Sequence, residues 1–233
     1  MQKTSGSGGI QDAKGKSELE EDVPNSIAAG GNVQEEVRDL TVKALSKQKR
    51  DTESLRHVIA SVLKGVDEGM QQKIQQTSAS GQTIMEPVRE AVAGLDSALA
   101  HLAATSKLAL EEAAGRAQKF SNEDLRRVRT DLESMETLFL DTLERSASAT
   151  QDLIRETLSD LATHARRNGT AVGSQLKDTL TAFSQQMTAV GQTQLEAGVE
   201  LTHAITNLMR EAASDALAGI AERVKPEGGR GSK

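Results

Sequence analysis

The sequence predicts an all-α protein of long amphipathic helices, forming an elongated antiparallel bundle or a coiled coil, with disordered termini. Three observations carry this expectation. First, from Ile154 to Val224 an apolar or small residue recurs about every 3.67 positions, in steps of four, three, four, four, three and four. Eleven residues in three turns is close to the α-helical pitch, so these positions stay on one side of a nearly straight helix. Second, aromatic residues are scarce: the 233 residues include three Phe (Phe120, Phe139, Phe183) and no Trp or Tyr, which argues against a thick globular interior. Third, Ala, Leu, Glu, Gln, Lys and Arg dominate the long middle, all good helix formers, while Pro is confined to Pro24, Pro87 and Pro226.

Residues 1–31 are rich in Gly, Ser, Lys and Glu and offer few large apolar side chains to offset chain entropy, so they are expected to form a disordered N-terminal arm. Within it a short helical stretch around residues 17–23 is allowed, ended by Pro24. The long-helix region covers residues 32–224. Asn32 is placed as an N-cap, with Glu35 at the capping-box position. Val33, Val37, Leu40 and Ala44 begin an apolar stripe that resumes at Leu55, Ile59, Val62, Val66 and Met70. The run Lys47-Gln48-Lys49-Arg50-Asp51 between them reads as a solvated lapse in one helix, or as a small basic docking spot.

Residues 77–81 form a loop. Pro87 is tolerable in the next helix only within its first turn or at a kink. Ile84, Val88, Ala91, Leu95, Leu99, Leu102, Ser106 and Leu110 repeat the eleven-residue spacing. Ser121 followed by Asp124 resembles a capping box, and Leu125, Val128, Leu132, Met135 and Phe139 then make a heptad seam. Ser146, Ala147, Ser148 and Ala149 thin that seam. Asn168-Gly169 is the best candidate for a break. With the break there are four helices, about 32–78, 82–118, 122–167 and 170–224; without it the last two fuse into one rod. Residues 225–233 make a flexible C-terminal tail.

Candidate chemistry is sparse. His57, His101, His164 and His203 lack metal-ligand spacing, and no Gly-rich phosphate loop or base-paired nucleophile is present, so no catalytic residue, metal site or cofactor is expected. The net charge is −6, with acidic and basic residues interspersed. That pattern gives no footprint for nucleic acid and no electrostatic attraction toward an anionic membrane. The densest basic spots, Arg126-Arg127 with Arg129 and Arg166-Arg167 beside His164, have no aromatic side chains interleaved to stack bases. No apolar run approaches the roughly 18 residues of a spanning helix, no secretory signal follows Lys3, and no Cys is present. The expected placement is cytoplasmic, with association to a granule as an option.

The last helix is the most distinctive element. Its polar face is mainly Thr, Ser and Gln, and Gly173, Gly191 and Gly198 each weaken an isolated helix by roughly 1 kcal/mol. Such a segment needs a surface to bury its stripe: a partner helix within the chain or from a second subunit, or an apolar granule or lipid surface. The interface residues expected from this pattern are Val172, Leu176, Leu180, Phe183, Met187, Ile205 and Met209, together with the seam Leu125, Val128, Leu132, Met135 and Phe139. The Ala-, Thr- and Gln-rich amphipathic helices and the absence of Cys and Trp resemble bacterial phasins, which coat polyhydroxyalkanoate granules. The eleven-residue periodicity also resembles late-embryogenesis-abundant proteins and lipid-droplet coat helices. The phasin resemblance implies a non-catalytic coat or scaffold protein that binds a polyester granule, a lipid surface or partner helices. Two other functions fit the same pattern: a coiled-coil module that self-associates to organise partner proteins, and a stress-protective chain that becomes helical only on drying or binding.

Overall fold

The computed structural model describes residues 8–48, 51–76, 85–115, 120–150, 152–190 and 201–223. These residues form eight α-helices: α1 Gly8–Ala29, α2 Val33–Lys47, α3 Thr52–Gln76, α4 Glu86–Gly115, α5 Asn122–Ala149, α6 Asp152–Asn168, α7 Ala171–Val190 and α8 Leu201–Arg223. There is no strand among the described residues. The all-α class is as expected from the helical periodicity, but the chain is divided more finely, and each division has a local cause.

The first correction concerns the N-terminal arm. Residues 1–31 were expected to be disordered, yet α1 runs to Ala29, and its stripe Leu19, Val23 and Ile27 is fully buried. Three large apolar residues are few in isolation but sufficient once a partner surface fits them. That surface is α3, where Gly65 and Gly69 let the backbones approach. A Cβ on Gly69 would stand 2.7 Å from the Ile27 Cβ and 2.8 Å from the Pro24 carbonyl oxygen. Pro24 does not end the helix; it lies inside it and is buried. The close packing offsets the roughly 3 kcal/mol that an internal Pro costs.

The expected helix over residues 32–78 is two. α2 ends at Lys47, Gln48 is extended, and α3 begins after Asp51, whose Oδ1 accepts the Ser54 backbone N–H at 2.7 Å. The charged run has no apolar side chain to bury, whereas an Asp N-cap gives the next helix a better start. At the head of α2 the expected Asn32 cap is absent: its backbone is not extended, and its side-chain amide instead donates to Glu35 Oε2 at 2.6 Å. Pro87 lies in the first turn of α4, where its missing N–H costs nothing. Ser121 caps α5 as its spacing predicts, its Oγ accepting the Asp124 N–H at 3.1 Å.

The expected helix over 122–167 also divides. α5 closes at Thr150, whose N–H reaches the Ser146 carbonyl at 3.1 Å and whose own carbonyl accepts two bonds from the Arg155 guanidinium. The thinned seam at residues 146–149 is where the helix gives way. Asn168-Gly169 is a true break, with Gly169 at φ +84°, a left-handed backbone that Gly adopts without strain. The stripe from Ile154 therefore lies on three helices rather than one rod. The 77–81 loop, the stripe position Ile84, the 225–233 tail and the positions Gly191 and Gly198 lie outside the described residues.

The bundle is not uniformly antiparallel. Arg166 reaches Asp141 and Glu144, Thr170 reaches Glu136, and Arg129 reaches Met187, so α6 and α7 run back along α5. In contrast, Asp96 meets Ala171 and Val172 while Ala103 meets Thr179, which makes α4 and α7 parallel. Lys64 pairs with Glu20, and Lys73 donates to the Ile27 carbonyl, which makes α1 and α3 parallel. α4 is central, packing against α2, α7, α8 and α3. One continuous core, from Leu19 to Ala213, is built mostly of aliphatic residues and Ala, with Phe120, Phe139 and Phe183 fully buried in it. The scarcity of aromatics thus thins the core without preventing it, because eight helices share the burial.

Candidate functional site

The break between α6 and α7 gathers polar groups from three helices, α4, α5 and α7. Past Gly169, Thr170 turns the chain, and its Oγ1 accepts the Gly173 N–H at 2.8 Å while donating to Glu136 Oε1 on α5 at 2.6 Å. The first two N–H groups of α7 have no partner within their own helix. Both are taken by one carboxylate from α4: Ala171 N–H donates to Asp96 Oδ2 at 2.7 Å and Val172 N–H to Asp96 Oδ1 at 2.9 Å. Further along, the Thr179 hydroxyl is shared between the Ala103 carbonyl of α4 and the Gln175 carbonyl of its own helix. Burial pushes the Asp96 carboxyl above the ordinary carboxylate range and Glu136 adds to that, while the two α7 amides oppose it.

All twelve expected interface residues come together, and none is exposed. Leu125, Val128, Leu132, Met135 and Phe139 on α5, Val172, Leu176 and Phe183 on α7, and Ile205 and Met209 on α8 are buried in the common core. Leu180 and Met187 are half-buried against it. In this state the chain satisfies the stripe with its own helices. Asp96, Glu136 and Thr170 were not singled out from sequence. Thr170 just after Gly169 carries a local capping signal that could have been read, but Asp96 acts on amides 75 residues away and has none.

The expected basic spots are charge-paired. Arg127 faces Glu123 and Asp124, Arg129 pairs with Glu133, and Arg166 bridges Asp141 and Glu144. Among the described residues no three His, Asp or Glu side chains gather to hold a metal ion, and no helix is long and apolar enough to cross a membrane.

Residues 10–226 match the model of a family of unknown function (DUF6781). The chain belongs to the DUF6781 family. No curated protein and no solved structure matches it.

Two further polar features of this DUF6781 protein lie near the α4 helix. A groove of about 500 Å³ opens where α2, α4, α7 and α8 meet, lined by Ala100, Ala104 and Ala212 together with Arg38, Asp39, His101 and Gln175. Arg38 and Asp39 satisfy each other through two bonds of 2.9 and 2.7 Å. Desolvation, and then the Arg38 guanidinium, hold His101 below the ordinary histidine value, with Asp39 opposing.

The second is Asp131 on α5, which accepts the Thr52 hydroxyl at 3.1 Å. Burial raises its pKa first of all, Thr52 opposes, Asp51 adds to the rise and Arg127 opposes again. A carboxyl whose folded-state pKa exceeds its unfolded one favours folding most when protonated, and this contribution fades as pH rises through the raised value. Asp131→Asn keeps an acceptor for Thr52 and removes the charge. It is expected to be more stable than the wild type at neutral pH, with the difference closing as pH falls through the raised folded-state value and gone below about 4, the ordinary carboxylate value. Denaturant melts of both proteins across that range check this; a difference that stays constant with pH contradicts it.

Proposed function

We propose that this protein is a non-catalytic, phasin-like coat or scaffold protein of the cytoplasm, which presents the apolar stripe of α7 and α8 to a polyester granule, a lipid surface or partner helices. The observation that carries the reading is the berth in which α7 sits. The contacts at Asp96 and Ala103 set residues 96–103 of α4 alongside residues 171–179, and in that stretch the small Ser97, Ala98, Ala100 and Ala103 are interspersed with only two large apolar residues, Leu99 and Leu102. The small side chains among them offer Val172 and Leu176 less dispersion contact than a surface made only of large apolar groups would. Transfer to an apolar surface keeps each large side chain out of water, preserving about 1.5–3 kcal/mol per residue. The cost is then confined to a few polar ties and to the part of the core left behind. Gly169 supplies a joint at which that transfer needs no helix to unwind.

Phe183 is fully buried, so an Asp there unfolds the bundle and tests nothing about binding. Half-buried Leu180 and Met187 are better probes. Polyester nanoparticles are expected to co-sediment the wild type with its helicity retained. Leu180→Asp combined with Met187→Gln should cut the bound fraction about tenfold or more while leaving helicity in buffer unchanged. Equal sedimentation of the two proteins sinks α7 as the coating face.

A further inference from the structure

We propose that α7 is a lid, hinged at Gly169 and latched shut by Asp96. This rests on the reading of α7 as the working surface and names what controls it. Three features meet at one end of the helix. The hinge is a glycine at φ +84° with no heavy atom within 4 Å of where a Cβ would stand, so no neighbour packs against this backbone position on that side. The latch is a single carboxylate, reached from the parallel helix α4, that accepts the two leading N–H groups of α7. A charged acceptor at a helix N-terminus gains from both hydrogen bonding and the helix dipole. Thr170 caps Gly173 from within the chain and travels with α7, so at this end opening exchanges its bond to Glu136 and the two Asp96 bonds for water. Along the rest of α7, Thr179 is tied to Ala103, Met187 lies at a long 3.9 Å contact with Arg129, and Val172, Leu176 and Phe183 are buried in the core. Two hydrogen bonds at the hinge end thus depend on one side chain, and its loss loosens the start of α7 first.

Amide hydrogen exchange on the full chain, without particles, tests this. In Asp96→Ala the amides of residues 176–183 are expected to exchange on the order of tenfold to a hundredfold faster, with residues 62–70 of α3 and 132–139 of α5 unchanged. Asp96→Asn, which retains one acceptor, should fall between that variant and the wild type. Acceleration shared equally by α3, α5 and α7, or none in α7, overturns the lid. If Asp96→Ala does not fold, wild-type exchange in low denaturant decides: α7 opening below the global unfolding free energy supports the lid, and α7 opening only with the whole bundle overturns it. Co-sedimentation with polyester nanoparticles is scored separately. Selective α7 opening without particle binding keeps the lid and sinks the coat; particle binding without selective opening does the reverse.

Discussion

Phe139→Ala is expected to lower the stability of the bundle by about 3–5 kcal/mol, the usual cost of deleting a fully buried Phe. Phe139 lies on α5 with 1 % of its surface exposed, at the end of the seam Leu125, Val128, Leu132 and Met135. α5 packs against α3 on one side and α6 and α7 on another, so the cavity left by the ring is bounded by several helices and closes poorly. The chain has only three Phe, and the neighbouring core is aliphatic or Ala, with no second aromatic ring close in the seam to swing into the gap. Equilibrium denaturation checks this through a lower midpoint at unchanged slope. A loss below about 1 kcal/mol means that the seam does not form the packed interior described above.

The second large effect is expected at Gly94, where adding one methyl group damages the fold. A Cβ there would stand 2.4 Å from the Gln34 carbonyl oxygen and 3.1 Å from the Arg38 nitrogen, both backbone atoms of α2. Backbone cannot rotate aside, so α2 and α4 must move apart, and overpacking of this kind costs typically about 1–3 kcal/mol. Ala favours a helix over Gly by roughly 1 kcal/mol, which offsets part of that loss. Gly94→Ala is therefore expected to be destabilising despite the better helix former. Gly173→Ala is the control. Its Cβ meets only the carboxylate end of Glu136, a flexible side chain that can turn away, so its cost should be smaller. A neutral or stabilising Gly94→Ala contradicts the close approach of α2 and α4.

The choice of Gly94 could not have been made from sequence. A glycine inside a helical pattern reads only as a weak point, and nothing local distinguishes Gly94, which touches a facing backbone, from Gly173, which meets only the end of a flexible side chain. The same holds for the N-terminal segment. Leu19, Val23 and Ile27 are visible as a four-residue spacing, but whether three residues suffice depends on the glycine groove of α3, more than 40 positions away.

Other features were legible because they are local. The helical period, the Ser121 cap, the first-turn place of Pro87 and the break at Asn168-Gly169 all depend on residues within one or two turns of each other. The divisions at residues 47–51 and at Thr150 sit where the apolar stripe visibly lapses. There the sequence pattern showed a weakness, and local capping at Asp51 and Thr150 converted it into a chain reversal or bend.

The amino-acid sequence by itself thus determined the helical character of residues 32 onward and which faces there are apolar, since both follow from backbone propensity and side-chain period over a few residues. Only the tertiary structure decided what those faces meet. It decided that the expected interface residues are buried against one another, that α7 lies parallel to α4, and that one Asp on α4 holds the free end of α7. The physical reason is that an amphipathic stripe is satisfied equally well by any apolar surface. The choice among surfaces rests on shape fit and on polar contacts between residues distant in the chain, and neither leaves a periodic trace.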